Sequence, residues 1–263
     1  MARLRALIKS AIYPLYEERL LRNLDLTRTP RHIGLILDGN RRWARENPSP
    51  SGDTSSSYGH RAGANKIVEL LDWCEESKIE VVTLWLLSSD NFKRDSGELV
   101  ALMEIITETV EQLRRIGRWK VRPVGSFELL PEELQRTLRE IERTTAETDG
   151  ITVNVAIGYG GRLEIVEAVQ RYITEASSIG KSASEISAAL SPEKIEQYLY
   201  TAGQPDPELV IRTSGEQRLG GFLLWQSHQS EFYFCEAYWP AFRKVDFLRA
   251  LRSYAARERR LGR

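Results

Sequence analysis

The chain has 263 residues, with 37 Lys and Arg against 37 Asp and Glu, 28 % charged residues and 41 % hydrophobic residues. That balance excludes a disordered, highly charged chain, and zero net charge excludes a collective cationic field for nucleic acid, though not a local concentration of one sign. The length is enough to bury a sizeable core in one large domain or two small ones.

Residues 3–22 mix Arg and Lys with Leu4, Leu7, Ile8, Ile12, Leu15 and Leu20, the pattern of an amphipathic helix that Pro14 kinks. Such a helix packs on a domain surface or lies against anionic lipid. Residues 1–30 are therefore expected as an N-terminal helical segment ahead of a single domain over 31–263. After Pro30, HIGLILDGN reads as a buried strand running into a turn. Residues 47–57 (NPSPSGDTSSS) have the composition of a loop. A helix is expected from Gly59, with Ala64, Ile67, Val68, Leu71 and Cys74 on one face. A strand over 81–87 and a helix over 98–114 follow, the latter burying Leu99, Leu102, Ile105, Ile106 and Val110.

Further strands are expected at 120–124, in ITVNVAIGY, in LVIRT and in EFYFC. Helices are expected from Glu132, after the glycine turn at 158–161, near 192–200 and over 245–257, and SSIGKSASEIS reads as a polar connection. Strands interleaved with helices predict an α/β fold with a mostly parallel sheet. Cys74 and Cys235 offer neither a CxxC nor a disulfide framework. No apolar run approaches the roughly 20 residues that cross a bilayer, so a cytoplasmic location is expected, with peripheral membrane contact through the N-terminal helix as the alternative to its packing on the domain surface.

Four clusters fall at strand ends, where open α/β sheets present their chemistry. Asp38-Gly39-Asn40-Arg41-Arg42-Trp43 places a carboxylate beside two arginines. Those charges are compatible when Mg²⁺ and a diphosphate lie between them, because Mg²⁺ takes one or two carboxylates plus substrate phosphates. A second cluster sets Arg212 and Arg218 around a turn of Thr, Ser and Gly, suited to a phosphate. The third runs from Ser88 through Asn91 to Arg94, and the fourth is Gly158-Tyr159-Gly160-Gly161-Arg162. A dinucleotide fingerprint fails at Leu163, and neither GxxxxGK[ST] nor GxSxG occurs. The residues thus converge on Mg²⁺-assisted handling of a phosphorylated substrate with an apolar portion.

The segments HIGLILDGNRRWA, YGHRAGANK, TLWLLSSDNFKR, NVAIGYGGR and LVIRTSGEQRLGGFLLWQ with SEFYF occur in order over about 31–240. Together they resemble the cis-prenyltransferase family, the (Z)-isoprenyl diphosphate synthases that include undecaprenyl diphosphate synthase. The resemblance implies a homodimer, each subunit having a central sheet flanked by helices and an apolar tunnel for the prenyl chain. It implies condensation of isopentenyl diphosphate with an allylic diphosphate (geranyl or farnesyl), releasing pyrophosphate and forming a Z double bond. By the same resemblance Asp38 holds Mg²⁺ against the diphosphate, and Asn40 and Asn91 act at the reacting ends. Gly39, Arg41, Arg42 and Trp43 form the allylic-diphosphate loop. Arg212, Arg218 and Gly220 belong to the isopentenyl-diphosphate site, Glu231 is a second metal carboxylate, and His60, Ser88, Phe92 and Arg94 surround the reacting ends.

Several positions depart from the commoner pattern. Gln217 stands for a His, Gly220 for a Ser, Phe92 for a Trp and Asp90 for a Glu, and Ser56 or Ser57 replaces an Arg before Tyr58. Leu86 stands where long-chain members carry a small residue on the tunnel wall, which favours a short product of fifteen carbons made from geranyl diphosphate. The alternatives are a long-chain polyprenyl diphosphate synthase, a Mg²⁺-dependent phosphohydrolase, whose second Asp would fall at Asn40, and a non-catalytic partner subunit. Retention of Asp38, Asn40, Arg212 and Arg218 disfavours the last.

Overall fold

A computed structural model describes residues 16–22, 24–93 and 95–257, except for the side chain of Leu26. Six strands form one sheet in the order β3-β4-β2-β1-β5-β6. They are β1 (His32–Ile36), β2 (Val81–Ser88), β3 (Lys120–Val124), β4 (Thr152–Tyr159), β5 (Leu209–Arg212) and β6 (Glu231–Phe234). Every pairing is parallel. The chain runs from β1 to β2 on one side, and later returns to lay β5 against the other side of β1. That reversal opens a crevice at the C-terminal ends of β1 and β5, the usual ligand position in such sheets.

Near-continuous apolar runs make these strands, as expected for a parallel sheet covered on both faces. Alternate side chains feed two cores. Ile33, Leu35, Leu84, Val155 and Ile211 join the larger one, while Ile36, Ala156, Tyr159, Val210 and Phe222 form a smaller cluster. The helices are α1 (Asn40–Glu46), α2 (Ser56–Glu76), α3 (Ser96–Ile116), α4 (Glu132–Thr145), α5 (Gly161–Ser178), α6 (Ala183–Ala189), α7 (Pro192–Glu196) and α8 (Lys244–Ala255).

The termini of the long helices follow from local chemistry. Ser55 Oγ accepts from the Tyr58 N–H, starting α2 three residues earlier than its apolar face predicts. Asp95 caps α3 through Gly97 and Glu98, and Gly117 in the left-handed conformation ends it. Helix α6 corrects the expectation of a polar connection. Ser182 and Glu185 form a capping box there, and Ile186 is buried against Tyr172 and Ala176.

Of the expected N-terminal helix, residues 1–15 lie outside the described residues. Residues 16–22 are helical, and Leu20 and Leu24 are buried in the main core. Among the described residues no helix is long and apolar enough to cross a membrane. Cys74 is buried in the main core, and desolvation pushes its thiol pKa well up, a packing role.

Candidate active site

The two strongest sequence clusters meet because β1 and β5 are neighbours, with Ile36 opposite Arg212. Beyond the end of β1, the Asp38 N–H donates to Thr213 Oγ1 at 2.9 Å, and that hydroxyl donates back to the Asp38 carbonyl at 2.8 Å. Gly39 then turns into α1 with φ +99°, and a Cβ there would lie 2.7 Å from Tyr238 Cδ1. Both the left-handed backbone and the close approach of Tyr238 demand glycine.

Asp38 is half-buried at the crevice. Its Oδ1 accepts from the Gly39 N–H at 2.7 Å, and its Oδ2 accepts from Arg212 Nη2 at 2.8 Å. Burial works to raise its pKa, but the hydrogen bonds from Arg212 and Gly39 and the charges of Arg212 and Arg42 outweigh it, and the carboxyl sits below its ordinary value. Arg212 is 6 % exposed, and its second terminal nitrogen donates to the Arg218 carbonyl, folding that loop back over the strand end.

Arg42 donates to Ser214 Oγ at 2.7 Å and stands over the Tyr238 ring, 5.5 Å from its centroid. Glu216 ties two expected binding arginines together, lying 3.5 Å from Arg42 and 2.6 Å from Arg218. At the neighbouring strand end, Asn91 Oδ1 accepts from the Ser88 N–H at 2.9 Å, fixing the turn after β2.

These groups rim a cavity of about 660 Å³ that runs from the sheet's C-terminal edge down between β2, α2 and α3. Of the residues selected from sequence, Asp38, Gly39, Asn40, Arg41, Arg42, His60, Ser88, Asn91, Arg212 and Arg218 are brought together on its lining. Its deeper wall is apolar, built from Ile67, Leu86, Leu102, Ile105 and Ile106. Leu86 faces this space because alternation along β2 puts it on the same face as Val82 and Leu84 of the main core. A register shift between Trp85, which pairs with Ala156, and Leu87, which pairs with Ile157, brings Leu87 to that face as well, and Trp85 reaches the cavity from the other side of the sheet. Among the described residues, Asn40 Oδ1, Trp85 Nε1 and Arg212 Nε are buried around the cavity without a hydrogen-bond partner.

Other expected site residues lie elsewhere. Trp43 does not line the cavity but packs on Tyr58 with ring centroids 5.5 Å apart, because α1 turns it toward α2. Phe92 packs against the main core. Gly220 adjoins the rim: a Cβ there would lie 3.4 Å from Trp85 and 3.7 Å from Arg212 Nη1. Arg94 lies outside the described residues.

Glu231 lies apart from these groups within the chain. It opens β6 opposite Leu209, three residues before the level of Arg212, and pairs with Arg257. In a parallel sheet that puts it about 10 Å back from the ligand edge, so this chain does not bring Glu231 to Asp38. The turn at Gly158–Arg162 is also scaffolding, since the Gly161 N–H donates to the Gly221 carbonyl at 2.8 Å and anchors the Arg218 loop.

Sequence reading passed over Arg45, Trp85 and Glu216, all on the cavity wall, and Tyr238 above Gly39. Arg45 follows Arg41 by one helical turn, a spacing that was legible. Trp85 depends on the Gly220 loop beside it, Glu216 on the path of its own loop, and Tyr238 on a contact about 200 residues distant in sequence.

The arrangement is an anion-binding mouth with one carboxylate at the top of an apolar shaft, and comparison with known proteins agrees with it. Residues 36–262 match the prenyltransferase family described as "Putative undecaprenyl diphosphate synthase". The chain is 56 % identical over 256 residues to a (2Z,6E)-farnesyl diphosphate synthase of Thermobifida fusca, covering 97 % of this chain and 99 % of that protein. It is 53 % identical to isoprenyl transferase 1 of Streptomyces avermitilis, over 98 % and 99 %. The fold superimposes on a lavandulyl diphosphate synthase of Lavandula x intermedia, solved with dimethylallyl diphosphate, with a TM-score of 0.80 at 30 % identity, covering 88 % of this chain and 98 % of that one. From its fold, its crevice and these matches, the chain belongs to the cis-acting prenyltransferase family.

Proposed function

We propose that this enzyme condenses isopentenyl diphosphate with geranyl diphosphate to give (2Z,6E)-farnesyl diphosphate. The observation that carries the short product is Leu86, which stands on the core-facing side of β2 and lines the apolar shaft beneath the charged mouth. A prenyl chain growing down the shaft meets that side chain. The Thermobifida relative's name supports the same product.

In this reading the Asp38–Arg42 turn holds the allylic diphosphate, while Arg212 and Arg218 hold isopentenyl diphosphate. The allylic C–O bond breaks, its electron pair leaves with pyrophosphate, and carbon 4 of isopentenyl diphosphate bonds to the allylic carbon. A proton leaves carbon 2, setting the new Z double bond. Arg41 and Arg42, once engaged with bound substrate, stabilise the negative charge that collects on the departing diphosphate. Asn40 sits at the reacting ends with a buried, unpartnered Oδ1, oriented by its Nδ2 donating to the Leu37 carbonyl at 2.9 Å. Asn91 fixes the Ser88 turn beside them.

Mg²⁺ fits the donor set. Among the described residues no group of three or more His, Cys, Asp or Glu could hold a metal ion, whereas Asp38 amid arginines suits an ion that takes most of its oxygens from diphosphate and water. When bound there it would neutralise charge on the leaving group. The working unit in this reading is a homodimer, supported by Val166 and Ile173, which are 52 % and 43 % exposed one above the other on α5.

The test is product analysis by mass spectrometry after incubating the enzyme and Mg²⁺ with isopentenyl diphosphate and, in parallel, dimethylallyl, geranyl and farnesyl diphosphates. A fifteen-carbon product from geranyl diphosphate is expected. Long polyprenyl products would overturn the short-chain reading, and orthophosphate without a longer lipid would overturn prenyl transfer.

A further inference from the structure

Five arginines line the cavity: Arg41, Arg42, Arg45, Arg212 and Arg218. Four already have a carboxylate. Arg41 lies 3.7 Å from Glu98, Arg42 lies 3.5 Å from Glu216, Arg212 lies 2.8 Å from Asp38, and Arg218 lies 2.6 Å from Glu216. Arg45 differs. It is exposed at the rim and, among the described residues, makes no hydrogen bond or ion pair.

Its position on α1 is not neutral. Arg45 follows Arg41 by four residues and Arg42 by three, so the three guanidiniums share one helix face. Like charges at that spacing repel, and an anion held among them relieves the repulsion. Arg41 and Arg42 must loosen an ion pair to engage an incoming phosphate, whereas Arg45 gives up only water. Helix α1 begins beside Asp38 and rises about 1.5 Å per residue, which carries Arg45 roughly 6 Å beyond Arg41, away from the reacting end and toward the outside of the mouth.

We propose that Arg45 is a further substrate-binding residue, capturing the outer phosphate of the allylic diphosphate. This rests on the reading of the Asp38 turn as the allylic site. Arg45 touches the end of the diphosphate farther from the breaking bond, so it contributes to binding and capture rather than to the chemical step. Because it is exposed and unpaired, its attraction acts through solvent and weakens with salt.

The test is steady-state kinetics of the full chain, varying geranyl diphosphate at saturating isopentenyl diphosphate and then the reverse. Arg45→Gln should raise KM for the allylic substrate about fivefold to tenfold, the size expected for one charge-assisted contact at a wet rim. kcat and KM for isopentenyl diphosphate should change less than about twofold on the same grounds. Arg45→Lys, which keeps the charge, should restore part of the loss. In Arg45→Gln, kcat/KM should also depend less steeply on ionic strength. Arg136→Gln, the same charge change on exposed α4 far from the mouth, should move neither KM. An unchanged allylic KM, or equal rises in both KM values, overturns the proposal. Absence of condensation by the unmodified enzyme would instead overturn the reading of the site on which it stands.

Discussion

Replacing Leu86 by Ala tests whether a single side chain limits the product. Leu86 is half-buried and lines the shaft, so truncation removes three carbons that touch protein on one side only. The stability cost should therefore fall below the 2–5 kcal/mol of a fully buried Leu→Ala change, at about 1–2 kcal/mol. The gain for the product is larger. A further isoprene unit buries five carbons, worth about 4 kcal/mol at roughly 0.8 kcal/mol each. The overlap with Leu86 withholds that gain in the native shaft. Even a third of it, released in the variant, shifts the balance between product release and further elongation about tenfold. The assay is mass spectrometry of the dephosphorylated alcohols, with a thermal melt to show that the variant is folded. A folded Leu86→Ala enzyme that still stops at fifteen carbons would refute the reasoning, and the limit would then lie with the α3 wall.

Four further outcomes follow from the structure. Asp38→Asn keeps a group that can accept from Gly39 but removes the charge facing Arg212, and turnover should fall by about 10²-fold or more with the fold retained by circular dichroism; near-normal turnover would remove Asp38 from the mechanism. Because the Asp38 carboxyl is held below its ordinary value, its contribution to stability is complete above the usual carboxylate range and is lost only as pH falls through that lowered value. Gly63→Ala places a methyl 2.3 Å from Asn40 Oδ1 and 2.7 Å from Trp239 Cδ1, so it should cost about 1–3 kcal/mol in a thermal melt and displace Asn40; a variant as active as the parent would count against Asn40 at the reacting ends. His32 is fully buried, its Nδ1 donating to the Pro205 carbonyl at 2.7 Å and its Nε2 lying 2.8 Å from Thr83 Oγ1, and burial pushes its pKa down to about 4. Its neutral form is the one the fold accepts, so stability should decline by up to about 3 kcal/mol as pH falls from about 6.5 to 4, measured by denaturant unfolding; a flat profile would contradict this.

The sequence was most legible where local chemistry governs. Strand β1 leads into Asp-Gly-Asn because an apolar run fits the centre of a parallel sheet and the turn beyond it needs a residue with positive φ. The α3 stripe of Leu102, Ile105 and Ile106 was legible as an apolar face, but not as the wall of a shaft rather than solid core. Helix α6 was hidden in a Ser-rich run because its capping box and one buried Ile outweigh composition.

What the sequence determined by itself was the α/β alternation, the chemistry gathered at strand ends and the family to which five ordered motifs belong. The tertiary structure decided which of those ends share a site. Asp38 meets Arg212 only because β5 packs against β1, across 174 positions of sequence. Glu231 is excluded from that edge within the chain because it opens its strand rather than closes it. Leu86 meets an open shaft where Val82 and Leu84 on the same face meet solid core, because α2 and α3 leave a cavity beside the end of β2. Strand order, direction and register arise from non-local hydrogen bonds, and a one-residue shift turns every side chain to the opposite face.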